Sequence, residues 1–112
     1  MDKVDGATTK TQAGAVSITG ETDRVYTPAG EPRAPIVVRD ESEGGEEAFR
    51  VVRDGLRDVV VWNPWTEKAA AMADFEPKEG WRNMLCVEAG AVRGWTRLEP
   101  GEAFEGGQTI TY

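Results

Sequence analysis

Residues 59–88, VVVWNPWTEKAAAMADFEPKEGWRNMLCVE, run from an apolar strand through a tryptophan-rich corner to a second strand ending in Glu88. Val59 to Trp62 is β-branched and aromatic, the composition of a strand buried on both faces. Asn63-Pro64 predicts a helix N-cap followed by proline at the first helical position, where the missing N–H costs nothing. The alanines 69 to 71 favour one or two helical turns. Glu76-Pro77 and Glu79-Gly80 bring the chain back, and Asn83 to Glu88 is extended again. In that last strand Met84, Cys86 and Glu88 share one face, and Leu85 and Val87 the other. Glu88 is thus an acid closing an otherwise apolar strand, beside two indoles.

Outward from this stretch the chain reads as more short strands. Ala15 to Thr19 alternates, with Val16 and Ile18 on one face. Glu21 to Tyr26 is a charged approach to an apolar pair, in which Asp23 and Arg24 read as a solvated pair at a strand edge. Ile36–Val38 and Phe49–Val52 are joined by residues 40–47, an acidic, glycine-containing segment read as an exposed hairpin loop. Gly55 ends the second of these strands. Ala89-Gly90 turns the chain, Trp95–Leu98 is a short strand, and Pro100-Gly101 suits the centre of a type II turn. Gln108–Tyr112 alternates as an antiparallel strand does. Seven or so short strands, one small helix and no repeat predict a mainly β protein, an antiparallel β-sandwich.

At 112 residues the chain is one domain or part of one. Its net charge is −7, from 20 acidic and 13 basic residues, so its field repels nucleic acid and anionic membranes. The single cysteine, Cys86, cannot form an internal disulfide and reads as a small buried hydrophobe of a cytoplasmic protein. No apolar run approaches the roughly 18 residues of a membrane span, and Asp2, Lys3 and Asp5 do not suit a secretion signal. The chain has no histidine, which excludes a Ser-His-Asp or Cys-His nucleophile and histidine-ligated zinc within it. Acid–base chemistry falls to carboxylates, lysine, tyrosine or a partner.

Four tryptophans in so short a chain need a reason. Trp62 and Trp65 flank Asn63-Pro64; their indoles either fill the end of a sandwich or present flat faces to a sugar whose hydroxyls the amide takes. Trp81 and Trp95 lack polar company and read as packing. Glu88 is either solvated, as glutamates at strand ends usually are, or projects into a cleft as a general base. The residues alone leave both alternatives open.

Val60-Val61-Trp62-Asn63-Pro64-Trp65, Met72-Ala73-Asp74-Phe75, Met84-Leu85-Cys86-Val87-Glu88-Ala89-Gly90 and Leu98-Glu99-Pro100-Gly101-Glu102 resemble, in order and spacing, the C-terminal part of the glucose-6-phosphate 1-epimerases. These D-hexose-6-phosphate mutarotases belong to the aldose 1-epimerase, or galactose mutarotase-like, superfamily. Asp2-Lys3-Val4 and Thr22-Asp23-Arg24-Val25-Tyr26 extend the likeness over nearly the whole chain.

The resemblance implies a galactose mutarotase-like supersandwich whose concave face binds a hexose 6-phosphate, with no metal or organic cofactor. In that family a glutamate takes the proton of the anomeric hydroxyl while a histidine protonates the ring oxygen. The ring opens, the C1–C2 bond rotates, and closure gives either anomer. Glu88 matches the general base and Asp23 a sugar-binding aspartate; Trp62, Asn63 and Trp65 match the corner near the substrate. The family's histidine and its phosphate-gripping basic residues lie in an earlier part that this chain does not include. The expectation is therefore a truncated mutarotase, inactive alone and prone to self-association through unpaired sheet edges. The competing expectation is a non-catalytic carbohydrate-binding or interaction module.

Overall fold

The computed structural model describes residues 1–112. In chain order its elements are β1 Thr22–Tyr26, β2 Ile36–Asp40, β3 Glu46–Asp54, β4 Asp58–Asn63, α1 Trp65–Ala71, β5 Cys86–Gly90 and β6 Gly107–Thr111, with 3-10 turns at Glu41–Glu43 and Lys78–Asn83. The strands form two three-stranded sheets, ordered β1-β4-β5 and β2-β3-β6. The chain is mainly antiparallel β with one α-helix, the class expected of a galactose mutarotase-like sandwich. No helix is long and apolar enough to cross a membrane.

Two compact units divide it: Met1–Tyr26 with Val59–Glu88, and Thr27–Asp58 with Ala89–Tyr112. In the first, β1 pairs antiparallel with β4, setting Asp23 opposite Trp62, Val25 opposite Val60 and Thr22 opposite Asn63. Because β4 is the middle strand of its sheet, its valines have neighbours on both sides, and Val25 and Val59 are buried on opposite faces. The outer edge of β1 is not bare. Asp2 bridges to Arg24, the Lys3 N–H donates to the Asp23 carbonyl at 2.9 Å, and the Val25 N–H donates to the Met1 carbonyl at 2.8 Å.

The corner after β4 differs from the expected cap. Asn63 is the last residue of β4 and Pro64 takes the cap position, with α1 starting at Trp65. Asn63 Oδ1 does accept the Trp65 N–H at 2.9 Å, as a capping asparagine would, but Trp65 stands at φ +59° and the helix opens one residue later than expected. At the other end of α1 the Lys78 ammonium donates to the Met72 carbonyl at 2.6 Å, a cation on the negative end of the helix. The following 3-10 turn runs through Asn83, so β5 starts at Cys86 instead of Asn83 and continues to Gly90. Ala89-Gly90 is therefore strand, not turn, and Glu88 lies mid-strand.

In the second unit β2 and β3 form an antiparallel hairpin, and β6 pairs with the other edge of β3. The hairpin connection is tied by Asp40, whose Oδ1 accepts the Ser42 N–H at 2.9 Å. Val51 and Arg53 are its buried β3 residues. Gly55 ends β3 at φ +69°, where a Cβ would stand 2.7 Å from the Glu105 carbonyl oxygen, so only glycine fits. The Pro100-Gly101 turn forms as its residues predict, with Gly101 at φ +88° and the Glu102 N–H donating to the Glu99 carbonyl at 2.9 Å.

Two expected strands are absent. Ala15–Thr19 and Trp95–Leu98 are irregular, and Val16 and Leu98 are exposed. Neither segment has a pairing partner, and alternation without one does not make a strand. Trp95, read as packing, is fully exposed at 102%.

Candidate functional site

Every sequence-predicted site residue falls in the first unit, on or beside the β1-β4-β5 sheet. The pleat sorts them. Asp23 and Trp62 are register partners on adjacent strands and stand on one face, together with Val25 and Val60. Asn63 is the next residue and points to the opposite face with Thr22, both nearly fully buried. The amide is thus not the neighbour of both indoles that the linear sequence suggests.

Asn63 has its own partners. Its Nδ2 donates to the Trp81 carbonyl at 2.8 Å and to the Met84 carbonyl at 2.9 Å, while Oδ1 accepts from Trp65 N–H. Both amide hydrogens are spent on backbone, so this side chain ties the end of β4 to α1 and to the approach of β5. The bond to Trp65 also fixes an unusual backbone: Trp65 has φ +59°, a left-handed conformation costing a bulky residue about 1–3 kcal/mol. Its half-buried indole packs on Trp81, with ring centroids 4.4 Å apart and planes inclined at 45°. The Arg82 guanidinium covers the Trp81 ring at 4.7 Å from its centroid.

Asp23 and Glu88 are more open than Asn63. Asp23 keeps a quarter of its side chain exposed, and its Oδ1 lies 3.2 Å from the Lys3 ammonium. Glu88 is exposed on β5. Two residues before it, Cys86 shares its face and is half-buried. Burial pushes the Cys86 thiol up, and the nearby Glu88 charge adds to that. The arrangement offers a free carboxylate on one outer strand, a carboxylate with an ammonium beside it on the other, and an indole between them on the middle strand.

Residues 2–111 match the family model described as aldose 1-epimerase. The chain belongs to the aldose 1-epimerase family. Over 110 residues it is 40% identical to "Putative glucose-6-phosphate 1-epimerase" of Cenchrus ciliaris, an alignment covering 95% of this chain and 32% of that protein. The chain thus spans about a third of that relative's length.

Two residues of this family member escaped the sequence reading. Lys3 reads as a charge near the start and as part of the Asp2-Lys3-Val4 likeness, with no role attached, because its closeness to Asp23 depends on residues 1–3 lying along β1. Asp58 heads the valine run and is completely buried. Its Oδ1 accepts the Thr27 hydroxyl, and its Oδ2 accepts the Val92 and Arg93 N–H groups, each at 2.8 Å. Burial alone would raise this carboxyl. The Arg93 N–H, the Thr27 hydroxyl, the Val92 N–H and the Arg57 guanidinium outweigh it and hold the group below its ordinary value. An acid directly before a β-branched run is the one local hint, and it does not distinguish a brace from a solvated strand end.

Proposed function

We propose that this chain carries the base-bearing portion of a hexose-6-phosphate mutarotase. Glu88 takes the proton from the anomeric hydroxyl of glucose 6-phosphate, and Asp23 holds a sugar hydroxyl. Trp62 lays its indole against the sugar's apolar face, and Trp65 borders the site. Asn63 keeps that corner in shape. As the O1 proton leaves for Glu88, the C1–O5 bond breaks and O5 receives a proton, giving the open aldehyde; rotation about C1–C2 and reclosure yield the other anomer. The proton for O5 comes from a histidine, and these 112 residues contain none.

The observation that carries this reading is the strand order β1-β4-β5, which gathers Asp23, Trp62 and Glu88 on one sheet of an aldose 1-epimerase family chain. It follows that the 112-residue chain alone binds the sugar weakly, without the basic residues that grip its phosphate, and does not interconvert its anomers. Polarimetry of freshly dissolved α-glucose 6-phosphate is the test. Mutarotation at the spontaneous rate is expected with the purified chain. A protein-dependent acceleration abolished by Glu88→Gln would mean that the acid is present after all.

The absence of histidine favours one other reading, a carbohydrate-binding module without catalysis. The two part company on adding a histidine-bearing N-terminal portion of a family member. Activity on mixing supports the mutarotase, and binding that persists with no activity supports the module.

A further inference from the structure

We propose that Lys3 is a positioning residue for the sugar site, orienting the Asp23 carboxylate toward its hydroxyl; this rests on the reading of Asp23 given above. Residues Met1–Lys3 lie along the outer edge of β1, fixed by the Lys3 N–H on the Asp23 carbonyl and by the Asp2–Arg24 bridge. Backbone and side chain of Lys3 therefore both address Asp23, the first through its carbonyl and the second through Oδ1 at 3.2 Å. Oδ1 faces the ammonium, and the side chain, a quarter exposed, stands on the face shared with Trp62. An Asp side chain otherwise rotates about its terminal torsion with little restraint, and a cation on one oxygen restricts that rotation.

The other basic side chains of this unit fit a different pattern. Lys10, Arg24, Lys68 and Lys78 pair with Asp5, Asp2, Glu21 and Glu76, none of them a candidate site residue, and Arg82 lies on Trp81. Lys3 alone is paired with a carboxylate at the proposed site. The pair is not a stability device. With side-chain exposures of 43% and 25%, it lies where ion pairs contribute little to folding. Its removal therefore leaves a folded protein in which the effect on binding is readable.

The experiment titrates glucose 6-phosphate against the tryptophan fluorescence of the 112-residue chain and of its Lys3→Met, Lys3→Arg and Asp23→Asn variants, with a thermal melt of each. We expect Lys3→Met to weaken binding about tenfold, the scale of one charge-assisted contact. Lys3→Arg should recover binding to within about threefold, since it restores the cation. The melting temperature of Lys3→Met should move by no more than about 4 °C. Binding by Lys3→Met within twofold of the parent, with Asp23→Asn defective, would overturn the role of Lys3 and leave the sugar site standing. Failure of Lys3→Arg to recover binding would also overturn it. If Asp23→Asn binds normally, or the parent does not bind at all, the site reading falls and the role of Lys3 falls with it.

Discussion

Asp23 and Asp58 are both aspartates in β-strands, yet the two units use them in opposite ways. Asp58, in the second unit, has no exposed surface, and its oxygens are filled by a hydroxyl and two backbone N–H groups. Asp23, in the first, is a quarter exposed and is met by a single ammonium. A carboxylate whose lone pairs are filled inside the protein can brace a fold, but it has little left for a ligand. One that keeps an oxygen in reach of solvent can take a substrate hydroxyl, and it adds little to stability. The same division runs through the neighbouring residues. Asn63 is buried and spent on three backbone bonds, whereas Glu88 is exposed and free.

This contrast breaks most directly at Asp58. Asp58→Asn keeps the shape but turns an acceptor into a neutral amide among donors, so it should cost about 2–4 kcal/mol in urea unfolding. A loss under about 0.5 kcal/mol, the range of an ordinary surface change, would mean that the brace is not one. The acid limb gives a second measurement. Because the folded carboxyl is held below its unfolded value, its contribution is complete above about pH 5 and is lost as the pH falls through the lowered folded value. Parent stability should therefore decline in acid, and that of Asp58→Asn should decline less steeply.

Asn63 comes next. Asn63→Ala leaves the Trp81 and Met84 carbonyls and the Trp65 N–H without their partner, a loss of about 2 kcal/mol. It also releases Trp65 from its left-handed backbone, so the circular-dichroism couplet expected of indoles 4.4 Å apart should collapse. An unchanged couplet would show that packing alone holds the two rings, and that the Asn63 bond does not set the Trp65 backbone.

Much of this division was legible before the structure, and the failures have physical causes. From Val59 to Glu88 the order strand, helix, strand is read correctly because hydrophobicity, proline and alanine act locally there, whereas the helix start and both ends of β5 are misplaced because they depend on the 3-10 turn and on strand pairing. The Pro100-Gly101 turn is read for the same reason. Ala15–Thr19 and Trp95–Leu98 were misread because a strand needs a partner, and alternation records only what one segment could do. The grouping of Trp62 with Asn63 failed on the pleat, which sends adjacent residues to opposite faces. Lys3 and Asp58 were missed because their roles come from residues distant in sequence: β1 in one case, and Thr27, Val92 and Arg93 in the other.

Glu88 should give the smallest effect on stability and so sharpens the contrast from its other end. An exposed carboxylate with no bond to brace should be replaceable, and Glu88→Gln should unfold within about 0.5 kcal/mol of the parent. Its influence should appear instead at Cys86, whose thiol is raised first by burial and then by the Glu88 charge. Removing that charge takes away the second cause and leaves the first, so thiolate becomes more abundant at neutral pH. Iodoacetamide should then alkylate Cys86 roughly two- to fivefold faster in Glu88→Gln than in the parent, with no change in the melt. Equal rates would mean that the carboxylate turns away from the Cys86 face of β5. A base turned that way would not share a face with Cys86, and the assignment of Glu88 would have to be drawn again from the other side of the strand.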